Sequence, residues 1–350
     1  MKKEIRVKRD ISVRSAMNKL EKTAEKCLIV VDEKGRLLGT LTDGDIRRSI
    51  LKGSKFSEDI SNLYNPKPFT LIEDSFTKDE ATQTLINSKL DLIPIIKKNK
   101  SVKDYVTLSS LRGHQNHQKQ LNDTPVVIMA GGQGTRMAPF TKVLPKPLIP
   151  IQDKPIIEHI IKRFTDVSCS EFYLTINYKG KILKAYFEEL NPNYTVNFIK
   201  ETQPLGTAGS LKFLTDKIKI PFFVTNCDII IKTDLKEVYN FHKKGGYDIT
   251  LIASAKEYTI PYGTCNLEKN GDLLNIQEKP KFDFLINAGL YILNPDVLEN
   301  IPKDKFYNIT DLIENVIKKK KRVGVYPIDD EFWIDIGQWE EYQKAIKKLL

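Results

Sequence analysis

Nothing in this sequence stays apolar long enough to cross a bilayer, so a membrane-spanning helix is not expected. Behind the basic start Met1-Lys2-Lys3-Glu4-Ile5-Arg6 there is no apolar signal-peptide core. Cysteine is scarce. Cys27, Cys169, Cys227 and Cys265 lie far apart and form no C-x-x-C pair, which suits reduced thiols in a cytoplasmic protein. His114 and His117 are spaced i, i+3, but no other Cys or His stands near them, so a polar linker is expected there rather than a metal site. The net charge of +10 raises the question of nucleic acid, yet no basic tract interleaved with aromatics is present. The lysines are spread along the chain, and the densest run, Lys318-Lys319-Lys320-Lys321-Arg322, closes a helix, where cations favour the dipole. Neither nucleic acid nor membrane is expected as a partner. With 41% hydrophobic and 29% charged residues the composition is that of an ordinary globular protein, and 350 residues suffice for two or three domains.

What is present begins with Val126-Val127-Ile128-Met129-Ala130-Gly131-Gly132-Gln133-Gly134-Thr135-Arg136, followed by Leu144-Pro145-Lys146-Pro147-Leu148. An apolar strand breaks into a glycine-rich turn, and two cations follow within twenty residues. Glycines let backbone N–H groups approach an anion, and the basic side chains then neutralise it. This is a triphosphate cradle of neither common kind. A P-loop ends in Gly-Lys-Ser/Thr, whereas Thr135-Arg136 stands here. A dinucleotide fingerprint needs a third glycine at Met137. The set Gly131, Gly132, Gly134, Thr135, Arg136, Pro145, Lys146 and Pro147 resembles the sugar-1-phosphate nucleotidyltransferases, and the resemblance covers Pro125 to Leu350.

The first 115 residues repeat themselves. A helix over Ser12–Leu20, strands Cys27–Val31 and Leu37–Leu41, and a helix from about Asp45 form one copy. About 64 residues later come a helix over Ser75–Ile86 and strands Leu92–Ile96 and Tyr105–Thr107. Two such half-modules must pair to bury their sheets. The arrangement, and Gly39-Thr40-Leu41-Thr42-Asp43-Gly44-Asp45 in particular, resembles a tandem pair of CBS (cystathionine β-synthase) domains, about 1–60 and 61–115. That resemblance implies an adenine nucleotide whose ribose is held by Thr42 and Asp45. The second copy keeps Thr107 but has Ser110 in place of the aspartate, so at most one site is expected. Dimerisation is the alternative role, and a homo-oligomer is expected. Residues 116–124 are expected as a linker to a catalytic domain over 125–350.

From Val126 onward strands and helices alternate, which predicts an α/β fold with a mostly parallel, doubly wound, Rossmann-like sheet and ligands at the strands' C-terminal ends. A helix is expected over Thr207–Thr215. The nucleotidyltransferase resemblance distributes roles over this body. Ala130 and the glycine loop take the nucleotide, and Arg136 and Lys146 act in catalysis. Glu201, Gly206 and Thr207, within Glu201-Thr202-Gln203-Pro204-Leu205-Gly206-Thr207-Ala208-Gly209, form the nucleobase loop. A carboxylate at Glu201 suits guanine, which presents two donors, better than uracil or thymine, which present one. Asp228 and Asp335, each ending an apolar strand, hold Mg²⁺. Tyr262 and Gly263, then Glu278 and Lys279 in Glu-Lys-Pro, then Asn287 and Gly289, take the sugar phosphate. Cys227 stands where relatives usually carry glycine, and Gln338-Trp339 where they carry Thr-Pro.

The implied reaction joins an NTP to a sugar 1-phosphate and releases pyrophosphate. A CBS pair ahead of such a body resembles bacterial guanylyltransferases, which implies GTP plus glucosamine 1-phosphate giving GDP-glucosamine for nonulosonic (legionaminic) acid synthesis. Mannose- or heptose-1-phosphate guanylyltransferases and UTP- or CTP-using relatives are the alternatives. A non-catalytic nucleotide sensor is the alternative of another class. The chain ends soon after Asp335, so no appended acyltransferase is expected.

Overall fold

The computed structural model describes residues 4–23, 25–112 and 121–349. Residues 116–120 of the expected linker, together with His114 and His117, lie outside them. The chain divides into two compact units, Met1–Gln118 with Glu257–Phe284, and Lys119–Lys256 with Leu285–Leu350. Among the described residues no helix is long and apolar enough to cross a membrane.

The first unit carries the duplication in its backbone. Strand Arg6–Lys8 runs parallel to Cys27–Val31, which pairs antiparallel with Leu37–Thr42. The second sheet repeats this order: Leu71–Ile72 lies parallel to Ile93–Ile96, and that strand pairs antiparallel with Val102–Val106. Even the register irregularity recurs, at Val30/Val31 and at Ile95/Ile96. The turns of the two copies meet through Leu37 N–H to Lys100 O (2.9 Å) and Val102 N–H to Gly35 O (3.0 Å). The helix expected from Ser75 begins later, at Lys78, because Thr77 and Glu80 close a capping box ahead of it. Strands Arg6–Lys8 and Leu71–Ile72 were not expected, nor was a hairpin of Thr264–Leu267 and Leu273–Gln277. Its signal is Asn270-Gly271 between the strands, with Gly271 at φ +91°.

In the second unit seven strands form one sheet, in the order Thr195–Lys200, Glu171–Ile176, Val126–Met129, Phe222–Asn226, Lys281–Leu293, Ile249–Thr259, Val323–Asp329. Parallel pairing joins the first four and the last two, and Phe222–Asn226 pairs antiparallel with Lys281–Leu293. Alternation sorts the side chains by face. Val126, Ile128 and Phe223 enter one core with Ile157, Ile160 and Ile161 of helix Ile156–Thr165. Val127, Phe222 and Val224 enter the other with Leu312 and Val316 of helix Ile309–Lys318. Burial on both faces is why these strands read as continuous apolar runs. The sheet is mostly parallel and doubly wound, as expected. The helix expected over Thr207–Thr215 is a 3₁₀ segment, Gly209–Leu214. The N–H groups of Ala208 and Gly209 both go to Tyr307 O, which fixes the entry before an α-helical turn forms.

Phe223 is fully enclosed and meets Phe164 edge-on at 5.3 Å. Phe223→Ala is expected to lower the unfolding free energy by about 3–5 kcal/mol, read from denaturant titration. A loss below about 1 kcal/mol would contradict a packed two-faced core.

Candidate active site

Strand pairing brings the distant acidic residues together. Asn226 lies in register with Met129, so the chain leaves two neighbouring strands side by side, one towards the glycine loop and one towards Asp228. Just beyond, Ile229–Ile231 pairs antiparallel with Trp333–Asp335, with Ile229 opposite Asp335. The N–H of Ile336 donates to Asp228 O at 2.8 Å. A Cβ added to Gly337 would stand 2.7 Å from Asp335 Oδ1 and 3.4 Å from Asp228 Oδ2, so both carboxylates border one small volume. Lys146 reaches the same place, its Nζ donating to Asp228 Oδ2 at 2.5 Å with only 7% of the residue exposed.

The electrostatics follow. Burial raises the pKa of Asp335, and the charge of Asp228 adds to the rise; the Gly337 N–H, Lys146 and Arg136 work against it. Two facing carboxylates with one ammonium leave unbalanced negative charge in a partly enclosed place. The Cys227 thiol beside them is pushed up to about 12, chiefly by burial, so it stays neutral.

Gly134 adopts φ +65°, and a side chain there would meet Thr141 Cγ2 at 2.8 Å and Lys146 Cβ at 3.1 Å. Thr141 Oγ1 closes the turn by donating to Gly134 O (3.0 Å). Gly132 has open space around it, whereas a Cβ on Gly131 would lie 3.0 Å from both oxygens of Glu201. Glu201 is thus enclosed against the glycine loop. Its pKa is raised by burial and held back by the nearby Ser210 hydroxyl, the Leu205 backbone and the Thr175 hydroxyl. Arg136 is exposed on the loop.

Comparison with known proteins gives the family. The family described as Nucleotidyl transferase matches residues 125–350, and the CBS domain matches residues 1–52. The chain belongs to the nucleotidyl transferase family. Similar curated proteins include the mannose-1-phosphate guanyltransferase of Saccharomyces cerevisiae, 34% identical over 227 residues (62% of each chain). The mannose-1-phosphate guanylyltransferase catalytic subunit beta of Drosophila melanogaster is 34% identical over 232 residues, 63% of this chain and 61% of that one. This chain therefore spans about three-fifths of the length of the curated relatives it matches. Among solved structures, HddC from Yersinia pseudotuberculosis aligns with TM-score 0.52 at 28% identity, covering 65% of this chain and 100% of that one. The same protein complexed with GMP-PN gives 0.51 at 27%.

The other expected residues have their own local surroundings. Gly206 (φ +76°) has no room for a side chain, whose Cβ would stand 2.7 Å from Tyr307 O, and the Thr207 hydroxyl accepts from Ile309 N–H at 2.9 Å, which fastens the loop to the start of helix Ile309–Lys318. Asn287 Oδ1 accepts from Gly289 N–H. Gly289, at φ +76°, lets Asn226 and Ile229 approach: a Cβ there would meet Ile229 Cδ1 at 2.3 Å and Asn226 Nδ2 at 2.7 Å. Asn226 was not singled out by sequence, although it ends the strand two residues before Asp228. Tyr262, Gly263, Glu278 and Lys279 belong to the first unit, where Tyr262 is exposed and Glu278 Oε2 crowds Gly263. Thr42 and Asp45, also in the first unit, cap helix Asp43–Leu51 reciprocally: Thr42 N–H and Oγ1 both donate to Asp45 Oδ2 (2.9 and 2.6 Å). Arg48 pairs with the same carboxylate. In the second copy Ser110 reproduces the cap, its Oγ accepting from Thr107 N–H at 2.9 Å.

Two outcomes follow. Gly289→Ala introduces both a left-handed alanine and a collision, so it should destabilise the protein by more than about 1 kcal/mol in thermal or denaturant unfolding. For Asp335 the folded-state pKa lies above the ordinary unfolded value, so its ionisation opposes folding as pH rises through the folded value. Without added divalent ion, Asp335→Asn should raise Tm at neutral pH, with the gain shrinking as the pH is lowered into the carboxylate range. A lower Tm for the variant at pH 7 would refute a crowded carboxylate pair.

Proposed function

We propose that this nucleotidyl transferase is a sugar-1-phosphate guanylyltransferase, forming a GDP-sugar and pyrophosphate from GTP and a sugar 1-phosphate. The observation that carries the reading is the convergence of Lys146, Asp228 and Asp335 beside a glycine loop. The attacking phosphate is already an anion, so no general base is required. Repulsion between two anions opposes the reaction, and catalysis amounts to alignment and charge neutralisation.

The glycine-loop N–H groups and Arg136 hold the β- and γ-phosphates in this scheme. Lys146, buried with its ammonium at the carboxylate pair, bridges the α-phosphate and the nucleophile. Among the described residues no three or more His, Cys, Asp or Glu side chains cluster as a self-sufficient metal cage. The two aspartates suit instead an ion that takes its remaining ligands from phosphate oxygens and water, which is the habit of Mg²⁺. Bound there, a divalent ion supplies charge neutralisation to both substrates. Ala130, Glu201, Gly206 and Thr207 are proposed on the nucleotide side, and Tyr262, Gly263, Glu278, Lys279, Asn287 and Gly289 on the sugar-phosphate side.

GTP is favoured by the names of the relatives and by the GMP-PN complex of the structural neighbour. The N-terminal pair favours glucosamine 1-phosphate as the sugar, for nonulosonic (legionaminic) acid synthesis. Mannose 1-phosphate is the second reading, favoured by the curated relatives. An adenine nucleotide at Thr42 and Asp45, and a homo-oligomeric state, complete the proposal.

Pyrophosphate release should be measured with each NTP against a panel of sugar 1-phosphates. GTP with one hexose 1-phosphate should dominate. Lys146→Ala or Asp228→Ala should lower kcat by roughly two orders of magnitude or more while the protein stays folded. Near-normal turnover in either variant, or no turnover with any pair, rejects the reading.

A further inference from the structure

The segment from Gly131 to Leu148 carries both proposed catalytic cations, yet its only helical pieces are three 3₁₀ turns, Thr135–Met137, Phe140–Lys142 and Lys146–Leu148. Single turns of this kind hold themselves weakly, so their position depends on what they touch. Met137 is buried in the core below, and Tyr178 and Lys179 donate to the carbonyls of Thr141 and Lys142 (3.3 and 2.5 Å). None of these contacts ties the loop to the strand that carries Asp335.

Phe140 makes that tie. Its ring stacks on Trp339, with centroids 5.3 Å apart and planes 25° apart. Trp339 in turn stacks on Tyr342 (5.3 Å, 21°). Tyr342 is anchored where the loop returns to regular structure, its hydroxyl donating to Pro150 O at 2.7 Å. On the other side, Trp339 opens the helix Trp339–Leu349, four residues past Asp335. Between them Gly337 N–H donates to Asp335 Oδ1 at 2.6 Å, so the connection is short and fastened. Three rings thus bridge the Arg136–Lys146 loop to the Asp335 strand.

We infer that Trp339 is a positioning residue: stacked on Phe140, it sets the loop bearing Arg136 and Lys146 against the segment bearing Asp335. The inference rests on the nucleotidyl-transfer reading of the site. Neither ring supports the fold from within, since Phe140 is 37% exposed and Trp339 43% exposed. Offset aromatic stacking is directional, so it fixes a loop better than aliphatic contact of similar area. In-line attack between anions is sensitive to small displacements of the groups that align them.

The test uses the full chain, with turnover read by pyrophosphate release from GTP and the best sugar 1-phosphate. Trp339→Ala should lower kcat roughly tenfold to a hundredfold while KM for GTP changes less than about threefold. Trp339→Phe, which keeps a ring for Phe140, should recover most of the loss. Phe140→Ala should match Trp339→Ala, and the double variant should be no worse than either, because both remove one contact. Melting temperatures should stay near that of the parent. Parent-like kcat in a folded Trp339→Ala protein, or losses that multiply in the double variant, would overturn the inference. Should Trp339→Ala fail to fold, Phe140→Ala, on the exposed loop, decides the matter alone: unchanged kcat overturns the inference. A parent protein inactive with every pair overturns the functional reading, and this inference falls with it. An active parent with indifferent variants overturns only the inference.

Discussion

Two carboxylates bordering one small volume, with a buried lysine paired to one of them, set the terms for the rest of the second unit. Such a pair is costly in a folded chain, since burial and mutual repulsion both oppose ionisation. The fold accepts it by antiparallel pairing of Ile229–Ile231 with Trp333–Asp335, which places Ile229 opposite Asp335 across more than a hundred residues of sequence. Apolar neighbours on both short strands, Ile229, Ile230, Ile231 and Ile334, bury their side chains in the main core and keep the register from slipping. Gly289 and Gly337 then stand where any side chain would strike the residues around the pair. The site is therefore a place where stability is given up for alignment, as sites that bind charged ligands commonly are.

Much of this was legible in the sequence because backbone needs select residue types. The strand Val126–Met129 announces itself as an apolar run ended by glycines, and Gly134 indeed occupies the left-handed region. Asp228 and Asp335 were visible as acids closing apolar strands. Their meeting was implied by the family resemblance but not by the residues alone, since the register of two three-residue strands produces it. Glu201 shows the limit more sharply. Its position before Leu205-Gly206-Thr207 suggested a reader of the base, but no local pattern reveals that its oxygens lie 3.0 Å from a Cβ position on Gly131. Thr207 likewise engages Ile309, a residue far along the chain. Short motifs encode conformation well and long-range partners poorly.

The first unit teaches the same lesson by repetition. Its two copies share strand order, capping threonines and even the site of a register irregularity, so the duplication was readable from spacing alone. In both copies the threonine that starts the second helix is closed by a residue three positions on, Asp45 in one and Ser110 in the other. Capping tolerates that exchange, whereas a ribose is read best by a carboxylate, so the ribose site is proposed for the first copy alone. The hairpin Thr264–Gln277 is weakly signalled because its strands are exposed on both faces and so lack an apolar alternation, leaving Asn270-Gly271 as its main mark.

Asp228 and Asp335 are proposed to act as one cation site in the presence of nucleotide. Paramagnetic titration of Mn²⁺ into the full chain with GTP measures this directly. One tight ion per chain in the parent, lost in Asp228→Asn and equally in Asp335→Asn, is the predicted result. Retention of parent-like Mn²⁺ binding in either variant would contradict the account.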